Sequence, residues 1–442
     1  MTIKQIFEKN KEQTITIKGW VISNRGNNKV RFITINDGST FKNIQTVLKD
    51  KEAEKMDLVR IGASIEVVGN IKLTPSAKQV LELISSKTTL LKNTDEDYPL
   101  QKNGISKEVL REMPHLRHRT NLFRAVMRVR STLTMEIHAY FTNKGFLNTT
   151  APIITSNDGE GAGEAFVVDD ESKDLFFGRK ATLGVTGQLH AEAYANGFGN
   201  VYTFAPTFRA ENSNTQKHAA EFWMIEPEMA FKNIFDGIDL ADDLLKVIIK
   251  NTLNKHKEEF DFFEKFINKE IKNRLEQFLI KGVQTIEYSD AIVKLQEVKN
   301  RFEEKNIEFG LDLTTEHEKY IANELFGGPV AVINYPKNIK AFYMKQNNDN
   351  KTVAAFDILV PGIGELVGGS QRETDYEKIV KRVNEMGIDQ KDLQWYLDLR
   401  RFGQAESTGF GLGFERLVMY VTGIENIRDS IPFVRTPKNL KM

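Results

Sequence analysis

Residues 207–228 read TFRAENSNTQKHAAEFWMIEPE. Few tasks require an arginine on a strand followed closely by a loop rich in polar groups. Arg209 lies in a mixed run of apolar and small residues, FAPTFRAEN, where a surface arginine would more often have polar neighbours. A second arginine, Arg416, sits in a similar setting at GLGFERLVMY. A guanidinium fork grips phosphate or carboxylate with two hydrogen bonds and cannot lose its charge, so the pair points to a nucleotide site.

Two acids add to this reading. Asp357 and Glu365 flank ILVPGIG and precede LVGGSQRE, which places them on consecutive extended segments with glycines between. Carboxylates so placed can share one magnesium ion, which favours one or two carboxylates plus phosphate oxygens and water. The run Gly409-x-Gly411-x-Gly413 is not a dinucleotide loop, because RRFGQAEST before it is no apolar strand and the third glycine is misplaced.

Outward from these segments, the chain of 442 residues has room for two or three domains, with 40% apolar residues to build their cores. Five β-rich runs, 14–22, 30–35, 43–48, 64–71 and 79–84, are separated by Gly, Asn, Asp and Pro, and suggest a small barrel over residues 1–95. Those 95 residues carry sixteen Lys/Arg against ten Asp/Glu, although the whole chain balances 61 against 61. A basic module suits a polyanionic partner. Polar sequence follows, with a hinge at 96–120. From Asn121 to Asn143, apolar residues at Leu122, Val126, Val129, Leu133, Ile137 and Tyr140 mark one helix face, closed by Gly145. The remaining domain, 121–442, holds a charged helical insertion at about 235–330. Apolar strands are expected at Val330–Ile333, Ala341–Met344 and Val353–Val360, in an antiparallel α+β arrangement. There are no cysteines and the seven histidines lack metal-ligand spacing, which excludes disulfides and thiolate zinc sites. With no run long enough for a bilayer and no apolar leader, a cytoplasmic protein is expected.

These residues carry a family resemblance. The chain resembles class II aminoacyl-tRNA synthetases of the aspartate, asparagine and lysine subgroup, and within it looks like the asparagine enzymes. KGFLNTTAPIIT (144–155) is similar to motif 1, the opening stretch to motif 2, and GFGLGFERLVMY to motif 3. EGAGE (160–164), VGGSQRE (367–373) and NIRDSIPF (426–433) narrow the match. The resemblance implies an N-terminal OB-fold barrel that binds the anticodon of tRNA(Asn). It also implies a class II catalytic domain with an antiparallel β-sheet flanked by helices, and a homodimer formed through motif 1.

Residue roles follow from the same resemblance. Arg209, Glu211 and Arg416 would be catalytic. Glu211, His218, Glu221, Phe222 and Glu365 would hold ATP together with the two arginines, and Asp357 and Glu365 would bind Mg²⁺. L-asparagine would meet Glu160, Gln188, Arg209, Glu226, Ser370 and Arg372, with Glu226 accepting from the side-chain amide and Arg372 donating to it. Phe32, Gln45 and Glu82 would read the central anticodon base. The aspartate enzymes have a lysine where this chain has Ala191, which argues against the aspartyl alternative. The chain departs from the family pattern at Glu406-Ser407 and Val434, and in the short loop from Leu73 to Gln79.

Overall fold

The computed structural model describes residues 1–442 except 78, 101–103, 157–164, 169–174 and 214. The chain folds into two compact units, Met1–Arg128 and Val129–Met442.

In the first unit, β1 (Thr14–Gly26), β2 (Val30–Asn36), β3 (Ile44–Lys49), β4 (Ser64–Leu73) and β5 (Leu81–Lys92) close into a barrel in the order β1-β2-β3-β5-β4. Alternation drives this closure. Ile15, Ile17 and Val21 of β1 point into the barrel, with Thr16, Lys18 and Trp20 outside. Ile3 and Ile6, on a short helix capped by a Thr2–Gln5 capping box, join the same core. Gly69 sits at a bulge in β4, where a Cβ would lie 2.3 Å from the Ile84 carbonyl. All five expected strands are present. β1 and β5 extend further than expected, because their last residues are mostly polar and half or fully exposed and carry no alternation signal.

The helix Asn121–Asn143 has the expected bounds. Val126, Val129, Leu133, Ile137 and Tyr140 are buried along it as expected, Phe123 rather than the half-buried Leu122 fills the first position of the face, and Gly145 follows with φ +78°. The main sheet of the second unit is built from β6 (Leu147–Asn148), β10 (Asn200–Phe208), β11 (Glu221–Ala230), β12 (Gln284–Glu287), β13 (Val330–Ile333), β14 (Ala355–Val360), β15 (Gly364–Gln371) and β16 (Ser407–Gly413). These strands lie in the order β12-β13-β14-β15-β16-β11-β10-β6. A smaller sheet joins β7 (Ile154–Thr155), β9 (Ala181–Leu183) and β8 (Val167–Val168).

The six central strands are antiparallel, as expected. Both edges differ, since β6 pairs parallel with β10 and β12 pairs parallel with β13, so the sheet is mixed. Two more expectations change. The stretch 341–344 is a turn rather than a strand. The insertion at 235–330 is not wholly helical, because β12 leaves it to reach the sheet edge. Its long charged run breaks into the helices Ile234–Lys255, Lys257–Phe266 and Ile271–Lys281. The first of these packs across β14, β15 and β16. Gly237 permits that approach, since a Cβ there would lie 3.0 Å from Thr408 Oγ1.

Candidate active site

A cavity of about 540 Å³ opens over β11, β14, β15 and β16. Alternation along β11 puts Phe222, Met224 and Glu226 on its wall and leaves Glu221 off it. On β16, Gly411 and Gly413 line the cavity, and a Cβ on Gly411 would lie 2.6 Å from Met224 Cε. The glycine run is therefore a strand rather than a phosphate loop. The missing side chains make a floor that a flat ligand can lie on.

Arg209 follows the last residue of β10, and its backbone N–H donates to Ala220 at 3.0 Å, which closes the hairpin neck. Its guanidinium stands 5.5 Å from the centre of the Phe222 ring. Glu211 and His218, from the loop that Arg209 opens, also face the cavity and lie 3.7 Å apart. Burial pulls the His218 pKa down, against the nearby Glu211 carboxylate, and keeps the ring neutral near pH 7.

Arg416 reaches across from the start of the helix Phe414–Thr422. Its Nη1 donates to Glu365 Oε2 at 3.0 Å and to the Glu365 carbonyl at 3.2 Å. Asp357 accepts from the Lys340 ammonium and from the Tyr335 hydroxyl. The acids come together over Gly368. A Cβ there would lie 3.0 Å from Glu365 Oε1 and 3.4 Å from Asp357 Oδ1, so glycine leaves room for a small cation between two carboxylate oxygens. Burial pushes the Asp357 pKa up despite Lys340. At Glu365 burial pushes the same way, but Arg416, Lys340 and Arg209 together outweigh it, and the pKa falls.

The end of the cavity expected to take the amino acid is built around Glu226. This carboxylate is 1% exposed and accepts from Thr186 Oγ1, the Gly187 N–H (2.9 Å) and Thr203 Oγ1 (3.1 Å). Gln188 opens the helix Gln188–Phe198, and the Tyr343 hydroxyl donates to its Oε1 at 3.4 Å. Arg372 and Ser370, expected in this pocket, lie behind its wall at 1% and 0% exposure. The Arg372 fork binds Glu228, with Nε to Oε2 at 3.1 Å and Nη2 to Oε1, while Nη1 donates to Ser370 Oγ at 2.6 Å. Its guanidinium lies 5.1 Å from the centre of the Tyr343 ring. Arg372 is thus committed to a buried pair with Glu228, two residues along β11 from the acid expected to work beside it. Glu160 lies outside the described residues.

Other lining residues escaped the sequence reading. Lys217 donates to the Ile363 carbonyl, and burial pulls its pKa down to about 8 against the opposing pull of Glu318. Lys340 and Tyr343 come from the stretch around 341–344 that was expected to be a strand. Glu415 is buried, takes an ion pair from Arg130 at 2.8 Å and accepts the Trp223 N–H at 2.9 Å, which ties the helix Phe414–Thr422 to β11. Only the GFER context of Glu415, next to Arg416, offered a signal.

In the barrel unit, the three residues expected to read a base share one patch. Gln45 Nε2 donates to Glu82 Oε1 at 2.6 Å. Arg25, not foreseen, donates to Gln45 Oε1 at 2.8 Å and lies 5.8 Å from the centre of the half-exposed Phe32 ring.

Residues 106–437 match the family described as tRNA synthetases class II (D, K and N), and residues 15–91 match the OB-fold nucleic acid binding domain. Among curated relatives, "Asparagine--tRNA ligase" of Mycoplasma mobile is 63% identical over 98% of this chain and 97% of its own length. That of Borreliella burgdorferi is 51% identical over 96% of each. Among solved structures, asparaginyl-tRNA synthetase from Pyrococcus horikoshii complexed with asparaginyl-adenylate superposes with a TM-score of 0.90. It shares 32% identity and covers 100% of this chain and 99% of that one. Among the described residues, no helix is long and apolar enough to cross a membrane.

Proposed function

Because the chain belongs to the class II tRNA synthetases of the D, K and N group, on their asparaginyl branch, we propose a division of labour among its residues in joining L-asparagine to tRNA(Asn). The observation that carries it is the sharing of one cavity by Glu226, Arg209 and Arg416. The asparagine carboxylate attacks the α-phosphate of ATP in line and pyrophosphate leaves. The terminal ribose hydroxyl of the tRNA then displaces AMP and takes the aminoacyl group. No protein nucleophile is needed, so catalysis rests on positioning and on stabilising charge.

Arg209 stands beside both the amino-acid and nucleotide ends and holds the attacking carboxylate and the α-phosphate together. Phe222 offers a face for adenine, with Glu211 and His218 on the rim. Arg416 is placed for the far phosphates. Asp357 and Glu365 would hold Mg²⁺ at the gap over Gly368. When bound, it neutralises phosphate oxygens.

Glu226, fixed by its three donors, presents an acceptor to the carboxamide NH₂ and a like charge to an aspartate side chain. A site built on such a bond discriminates by about 10⁴-fold or more. With Arg372 behind the wall, Gln188 is the lining amide placed for the amide oxygen, since its backbone N–H donates to Thr186 Oγ1 at 3.1 Å and that hydroxyl donates to Glu226.

Asparagine- and Mg²⁺-dependent pyrophosphate exchange tests the reading directly, and equal exchange with aspartate would defeat it. In the same preparation, Phe32→Ala is expected to weaken tRNA charging by the loss of one stacked base, about 1–3 kcal/mol, with exchange unchanged. A comparable fall in both assays would remove the anticodon role. A homodimer through motif 1 is supported by the exposure of Leu147 (45%), Ile153 (47%) and Ile154 (42%), apolar residues that a partner would cover. Sedimentation equilibrium at the monomer mass would exclude it.

A further inference from the structure

Each acid of the cation seat uses one oxygen for an organic cation and presents the other to the gap over Gly368. Glu365 Oε2 holds Arg416 and Asp357 Oδ2 holds Lys340, while Oε1 and Oδ1 face the gap. The two cations are differently held. Arg416 is part-buried, with a side chain 27% exposed, and lines the cavity with its fork on Glu365. Lys340 is enclosed, with a side chain only 15% exposed and its ammonium 3.9 Å from the centre of the Tyr335 ring. The Tyr335 hydroxyl also bonds Asp357. The backbone that carries Lys340 is pinned by Arg382, whose Nη2 donates to the carbonyls of Lys337 and, at 3.4 Å, of Lys340. Lys340 therefore sits beside the seat as a fixed positive charge.

We propose that Lys340 is a resident counter-cation that makes the acid pair a poor divalent-metal site by itself, so that the metal is admitted only together with the triphosphate. The electrostatics favour this order. An ammonium bonded to one oxygen of Asp357 cancels part of the attraction that the other oxygen offers a divalent ion, and the enclosed setting keeps solvent from screening the repulsion. A triphosphate laid between Arg209 and Arg416 supplies fresh negative oxygens and restores the attraction. The consequence is protection of the seat against free divalent ions, with Lys340 acting as a positioning residue rather than a catalytic one.

The inference rests on the placement of ATP and of the acid pair given above. Its test uses Mn²⁺ binding to the full chain, followed by electron paramagnetic resonance without nucleotide and then with ATP. Lys340→Met keeps the length of the stem against Tyr335 and deletes the charge, and Lys340→Gln is the second uncharged variant. Without nucleotide, both are expected to bind Mn²⁺ at least about tenfold more tightly than the parent, while Lys340→Arg stays at the parent's level. With ATP present the differences should shrink. Folded, uncharged variants that bind Mn²⁺ no better than the parent would overturn the inference, as would equal tightening by Lys340→Arg. Asparagine-dependent exchange by the parent enzyme judges the underlying reading separately, because it does not depend on how Lys340 behaves.

Discussion

Arg209→Ala is expected to lower asparagine-dependent pyrophosphate exchange by about 10³-fold or more, the scale of removing one preorganised donor from developing charge, and here the donor also orients the nucleophile. The position leaves little room for rescue. Arg209 is set by the Arg209–Ala220 backbone bond at the mouth of the β10–β11 hairpin, and its guanidinium lies against Phe222. Arg209→Lys should recover only a small part, because a single ammonium cannot fork between a carboxylate and a phosphate. Melting by circular dichroism should be almost unchanged, since the side chain faces the cavity rather than a packed core. Exchange that survives within tenfold would remove Arg209 from the mechanism.

The second large effect is on stability. Arg372→Met should destabilise the catalytic unit by about 3–5 kcal/mol, because it leaves the buried Glu228 carboxyl, whose pKa burial pushes up to about 7 even beside Arg372, without its partner. Burial works against the Arg372 charge, but the Glu228 carboxylate outweighs it and holds the guanidinium protonated. The pair cannot move aside. A Cβ on Gly409 would lie 2.2 Å from the Glu228 carboxyl, so β16 is already pressed against it, and Tyr343 covers it from the cavity side. The double variant Glu228→Leu with Arg372→Met removes both charges and should recover much of the loss. Urea unfolding of the three proteins checks this. A single variant as stable as the parent would mean that the pair contributes little.

The barrel was legible because its strands alternate: most residues pointing inward are Ile, Leu or Val, and the turns are spelled by Gly, Asn and Pro. The helix Asn121–Asn143 was legible to its end residues for the same reason at a different period, with Gly145 to stop it. β15 was legible only as the extended segment that carries Glu365, and β16 was not legible as a strand. Their sequences, GELVGGSQ and STGFGLG, are built on glycines with little preference for extended backbone. Pairing on both sides in the sheet holds them there, and that pairing is long-range. The turn at 341–344 misled in the opposite direction, because a run of apolar residues that covers a cavity looks like a run that crosses a sheet.

Local periodicity, and chemistry that few residue types can perform, were enough for the two modules, the arginine at the hairpin mouth, the pair of acids and the small residues between them. The tertiary structure decided which acid each arginine meets. Glu226 and Glu228 share a face of β11 under a period of two, so no local pattern separates them. The register of β11 against β16, and of β16 against β15, gives Glu228 to Arg372 and leaves Glu226 to the cavity. The same holds for Lys340, whose place beside Asp357 depends on how the segment after β13 folds back over the sheet.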